Sequence, residues 1–195
     1  METTLHLTGD EQADRLLSGD GFALLVGMLL DQQIAMEVAF LGPSRLAERL
    51  DGPFDPANVA STDPEELEAL FRTKPAIHRY PGSMAKRVHA LATHLVEHHG
   101  GEAAAVWEGA EDGADLKRRL QALPGYGDQK ARIFIALLGK QCGVRPAGWE
   151  EAAGEYAEPG YRSIADVLDE ETLQRVRESK QAAKAAAKAA KAAGA

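Results

Sequence analysis

Leu123-Pro124-Gly125-Tyr126-Gly127 stands between two stretches whose apolar residues recur at helical spacing, Asp115–Leu123 and Asp128–Leu138. Two glycines around one residue let the backbone take positive φ and approach another molecule closely, which a side chain would prevent. The helix that follows points its first free amides outward, and amides at a helix start beside a glycine turn suit a phosphate. Helix–LPGYG–helix therefore reads as a hairpin gripping a nucleic-acid backbone without reading bases, the competing reading being a plain helix–helix corner. Asp128 opposes the grip, because a carboxylate at the first helical position caps the same amides and repels a phosphate. His94-Leu95-Val96-Glu97-His98 has the spacing of an inverted zinc-peptidase motif, but zinc needs a third ligand that no pattern here supplies. That segment reads as the solvated face of a helix. Cys142 has no sequence cue for a histidine partner and is a weak candidate nucleophile. As the single cysteine it excludes a disulfide framework, an all-cysteine zinc site and a cysteine-ligated iron–sulfur cluster, so no metal or cofactor is expected.

The elements that must position these residues are helices, since no stretch alternates long enough for a strand. A short amphipathic helix covers Asp10–Leu17, and Gly21 opens the core helix FALLVGMLLDQQ, apolar all round and hence central. Another is expected at Met36–Leu41, with Pro43-Ser44 starting a separate one, RLAERL. Asp63-Pro64-Glu65-Glu66 is a strong start signal: an Asp cap, a proline whose missing donor costs nothing there, and a Glu three residues on. Ser83 is expected to cap MAKRVHALATHLVEHH, whose stripe of Met84, Val88, Leu91 and Leu95 faces the core until Gly100-Gly101 ends the helix. After Gly139 the text is broken by Gly and Pro, with one turn of helix at Trp149–Ala152. A helix over Glu170–Arg177 runs into KQAAKAAAKAAKAAGA, helical by propensity but without an apolar stripe to dock, and so a solvated extension.

Composition sets the outer limits. The 195 residues, 45% apolar and 27% charged, are ordinary for a globular protein of one or two domains. The acidic start METTLHLTGDEQADRLLSGD lacks the basic start and apolar middle of a signal peptide, and the longest apolar run, Phe22–Leu30, is half a bilayer span, so a cytoplasmic protein is expected. The net charge of −8 argues against a nucleic-acid partner, yet it hides an asymmetry. Lys180, Lys184, Lys188 and Lys191 lie in a tail without acids, and removing those four charges from −8 leaves a body of −12.

From about Phe22 to about Lys140 the text resembles the helix-hairpin-helix Gly/Pro-Asp base-excision DNA glycosylases of the endonuclease III and adenine-glycosylase kind. FALLVGMLLDQQIA is similar to the family's apolar helix ending in Gln. MAKRVHALATHLVEHHGGE is similar to its Lys/Arg-bearing helix, and LPGYGDQKARIFIALLG to its hairpin and following helix. The resemblance implies an all-α, two-lobed fold: a bundle spanning roughly 33–131, a second lobe from the N-terminal helix and the segment after Gly139, and a cleft for duplex DNA between them. The helical domain is drawn as 1–179 and the Lys/Ala tail as 180–195.

Carried over residue by residue, the resemblance is mixed. Gln33, or its neighbour Gln32, matches the polar residue that the family pushes into the duplex. Gly125 and Gly127 match the phosphate-binding hairpin, with amides near Tyr126–Gln129 as donors. Gln129 stands where bifunctional members carry a Schiff-base lysine; Lys130 is next door, but one residue turns a helix by about 100°, so it is not expected at the same point. An ungapped alignment places Ala147 at the family's catalytic Asp. Cleavage of a glycosidic bond passes through an oxocarbenium-like state that calls for a carboxylate. Glu150 and Glu151, which follow that loop, are the first substitutes to consider, and Asp31 is the third. Met28 and Leu29 stand where adenine-specific members keep a further Glu. The expected function is a DNA-repair glycosylase-like protein without lyase activity. The alternatives are a non-catalytic DNA-binding or damage-sensing module with the same fold and a helical interaction protein.

Overall fold

Nine consecutive buried residues, Phe22–Leu30, make helix α2 (Gly21–Leu30) the centre of the molecule, and Asp20 starts it by accepting from the amides of Phe22 and Ala23. The computed structural model describes residues 4–193, all of whose regular structure is helical. The fold is all-α. Around α2 pack α1 (Glu11–Gly19), α3 (Met36–Ala47) and α6 (Pro81–His99), and α6 in turn carries α4 (Pro56–Ser61) and α5 (Pro64–Arg72). On the other side stand α7 (Ala105–Glu108), α8 (Gly113–Ala122), α9 (Asp128–Gln141), α10 (Trp149–Ala153) and α11 (Glu170–Ala193), with 3-10 turns at Gly154–Tyr156 and Ile164–Asp166. One continuous apolar core runs through both groups, with Tyr126, Phe134 and Trp107 at the junction.

The caps behave as their chemistry dictates. Asp63 accepts from the amides of Glu65 and Glu66, and α6 ends at Gly100. Asp55-Pro56 repeats the Asp63-Pro64 signal and starts α4, an element the periodicity alone did not show. Three boundaries differ from expectation. Pro43 lies inside a single helix, α3, because burial of Met36, Ala39, Phe40, Pro43 and Leu46 on one face outweighs one missing hydrogen bond. Ser83 is interior to α6, which begins two residues earlier, with Pro81 at its first position. The core helix stops at Leu30 rather than running through the glutamines, because its last carbonyls are claimed by another element.

Helix α1 packs mainly on α2 and α3, and faces the start of α11 across a groove lined by Leu5, Asp14, Leu173 and Arg177. The segment after Gly139 is tied to α9: the Gln141 amide donates to the carbonyls of Ala165 (2.9 Å) and Val167 (3.1 Å), and Lys140 pairs with Asp166 at 2.6 Å. Helix α11 continues without a break into the Lys/Ala extension, which is exposed from Glu178 to Ala190. Among the described residues no helix is long and apolar enough to cross a membrane.

Candidate nucleic-acid interface

The hairpin is α8, the turn 123–127 and α9. Gly125 has φ +84°, a conformation that favours glycine, and a Cβ there would press on the tip of the Leu29 side chain of α2, 2.5 Å away. Tyr126 faces inward: its buried hydroxyl donates to the Leu25 carbonyl at 2.7 Å, its ring meets Phe134 edge-on, and burial pushes its pKa well up. Its amide donates to Leu123, so Tyr126 rivets the hairpin to α2 and leaves the outward amides to its neighbours. The amides of Gly127, Asp128, Gln129 and Lys130 donate to no group among the described residues. Asp128 does not cap them. Its carboxylate is drawn aside by Lys117 at 2.7 Å, with Gln121 at 3.3 Å and Arg132 at 3.9 Å, and the Lys117 bond holds its pKa below the usual carboxylate range. The capping anticipated from sequence is therefore absent, the carboxylate being held by a cation on the preceding helix.

Beside the hairpin opens a cleft of about 620 Å³. It brings together Asp31, Gln32 and Gln33 from the end of α2 with Gln129 and Lys130 from α9. Gln129 donates to the Tyr156 hydroxyl at 3.0 Å, and the Arg132 guanidinium lies over the Tyr156 ring, 5.3 Å from its centre. Lys130 turns inward: its ammonium donates to the carbonyls of Met28, Leu29 (3.3 Å) and Asp31 (3.0 Å), the C-terminal carbonyls of α2. Burial lowers its pKa to about 8 against the opposing charge of Asp31. The Asp31 carboxylate is largely shielded and sits 3.7 Å from Lys180 of α11.

Glu150 and Glu151 are exposed on α10 and line no part of this cleft. Ala147 is also remote: its carbonyl accepts from Gly113 at 2.7 Å, and Trp149 packs on Gly139. Gly139 lies roughly 16 Å along α9 from the hairpin at 1.5 Å per residue. The cleft carboxylates are Asp31 and Glu155, the latter 3.6 Å from Arg132. Glu155 and Tyr156 escaped sequence reasoning, and Lys180 was read only as a tail charge and not as part of a cleft. The first two sit in a Gly/Pro-broken stretch without periodicity, and Lys180 opens a lysine repeat in which no member stands out.

His94 and His98 have ring centres 4.4 Å apart, and no group of three or more His, Cys, Asp or Glu side chains among the described residues is placed to hold a metal. Cys142 is buried, and burial pushes its thiol up to about 11. An all-helical protein with a helix–turn–helix hairpin set beside a polar cleft is the arrangement that the sequence resemblance implies. The chain belongs to the HhH-GPD superfamily of base excision DNA repair proteins, whose family model matches residues 26–193. Searches of curated proteins and of solved structures return no match.

Proposed function

We propose that the protein binds duplex DNA through the hairpin and removes a damaged base without cutting the strand, with Asp31 as the carboxylate of the reaction. The observation that supports this reading best is the juxtaposition in one cleft of the α2 end, Asp31 to Gln33, with the first turn of α9, whose amides have no protein acceptor. The amides of Gly127 to Gln129 hold a backbone phosphate and set the strand's register. A base turned out of the stack enters the cleft, where the negative charge of Asp31 stabilises the sugar as the bond from C1′ to the base nitrogen breaks and its electron pair leaves with the base. A water then adds to C1′ and passes its proton by way of the Asp31 carboxylate to the departing base, which had left with the electron pair. The test is base release from duplexes carrying different lesions, with binding measured in parallel. Release of one class of base supports the proposal, whereas lesion-selective binding without release on any duplex identifies a damage-sensing module instead.

Strand cleavage is not part of the proposal, because Gln129 cannot form an imine and Lys130 has its ammonium hydrogens directed at three carbonyls. Borohydride is therefore expected to trap no covalent adduct with abasic-site DNA. Efficient trapping that disappears in Lys130→Ala would overturn this.

The tail contributes charge. Deleting residues 180–195 is expected to weaken binding alike for every duplex and to make the log–log salt dependence shallower by up to about 3.6, at roughly 0.9 per phosphate contact. An unchanged slope would show that these lysines do not touch DNA.

A further inference from the structure

The turn after α2 is held from two sides. Lys130 grips the carbonyls of Met28, Leu29 and Asp31 from α9. From the segment before α6, the buried imidazole of His78 lies 3.0 Å from the Gln32 carbonyl through Nε2. Its Nδ1 accepts from the Tyr80 amide at 3.0 Å, which assigns the ring proton to Nε2 and makes Nε2 the donor to Gln32. Burial, reinforced by the charges of Arg79 and Lys130, holds the His78 pKa below that of an ordinary histidine, consistent with this neutral form. The Gln32 side chain is fully engaged: its amide donates to the Leu29 carbonyl at 2.8 Å and its oxygen accepts from Arg87 at 3.2 Å.

Gln33 differs in every respect. It is exposed, and its φ of +58° makes it the one non-glycine residue in the left-handed region among the described residues. Such a conformation persists only where the surroundings over-determine it. Here they do, because the carbonyl just before it and the three at the end of α2 each have a side-chain donor.

We propose that Lys130 and His78 are positioning residues that clamp the turn 31–33, with Gln32 as part of the clamp, so that Gln33 is presented rigidly to bound duplex DNA. This rests on the DNA-binding reading above. A turn whose backbone is already held where the Gln33 side chain projects loses little freedom on binding, so the clamp converts folding energy into preference for a duplex with a gap to fill. The amide of Gln33 has both donors and an acceptor to offer an unpaired base. Lys130 accordingly acts through backbone and does not itself contact DNA.

The test compares affinity for two duplexes, identical except that one contains a tetrahydrofuran abasic-site analogue, alongside amide hydrogen exchange of the free protein. Wild type is expected to prefer the abasic duplex at least tenfold. Gln33→Ala should lose that preference at unchanged melting temperature, whereas Gln32→Ala should lower the melting temperature as well. Lys130→Met and His78→Phe should lose the preference while still binding the intact duplex, and should exchange the Gln32 amide at least tenfold faster. His78→Gln, whose terminal amide nitrogen takes the place of Nε2 and can still donate to the Gln32 carbonyl, should recover most of both. Unchanged exchange in Lys130→Met and His78→Phe overturns the clamp. Faster exchange with the abasic preference intact overturns its role in presentation. A wild type that binds neither duplex removes the DNA reading and the presentation role together, while the exchange data still decide whether the clamp exists.

Discussion

Asp31→Asn is expected to lower base release by about 10²–10⁴-fold, the usual worth of a positioned acid–base group. The carboxylate is shielded within the cleft at the end of α2, beside the glutamines and across from the hairpin helix, where a sugar held by the hairpin would sit. The substitution keeps the shape and removes the charge. Some stability should be lost: the pair with half-exposed Lys180 at 3.7 Å contributes about 0–1 kcal/mol, and Asp31 is also the charge that supports the buried Lys130 ammonium. Glu150→Gln and Glu151→Gln should leave release unchanged, since both side chains are exposed on α10 outside the cleft. Single-turnover base release on the best lesion from the screen measures all three. Retained activity in Asp31→Asn, with activity lost in Glu155→Gln, would transfer the role to the other cleft carboxylate.

Gly113→Ala is expected to destabilise the protein by about 3 kcal/mol, the upper part of the usual range for forced overpacking. A Cβ at this position would lie 2.3 Å from the Gly148 carbonyl oxygen, 2.5 Å from its carbon and 2.7 Å from the Trp149 nitrogen. All three are backbone atoms and cannot swing away. The same backbone is tied to Gly113 by the bond from its amide to the Ala147 carbonyl, so relief of the overlap breaks that bond. Replacing a helical glycine by alanine gains at most about 1 kcal/mol of propensity, too little to offset the clash. For a chain of this size the melting temperature should fall by roughly 6–12 °C, and duplex binding should weaken because α8 is the first arm of the hairpin. A melting temperature within about 2 °C of wild type would mean that the 147–149 loop yields more easily than its contacts imply.

Much of the fold was legible from local chemistry. The all-round apolarity of Phe22–Leu30 marked the central helix, Asp63-Pro64 marked a helix start, and Leu123–Gly127 marked the hairpin, because caps and turns depend on residues a few positions apart. The candidate site was legible only in part. Asp31, Gln32, Gln33, Gln129 and Lys130 do share one cleft, yet sequence order ranked Glu150 and Glu151 above Asp31, as proximity along the chain to the alignment's Ala147 was the sole guide. Tertiary structure puts Asp31 in the cleft and leaves Glu150 and Glu151 outside it, because the loop carrying Ala147 and Trp149 docks on Gly113 and Gly139, at the far end of α9 from the hairpin. It also decided the direction of three side chains that composition leaves open. Tyr126 points into the core, Asp128 leans to Lys117, and Lys130 bonds the end of α2 instead of solvent. The physical reason is the same in each case. A helix period determines which face a residue occupies, but the partner on that face comes from chain 11 to 102 residues away, and only packing of the whole core brings it there.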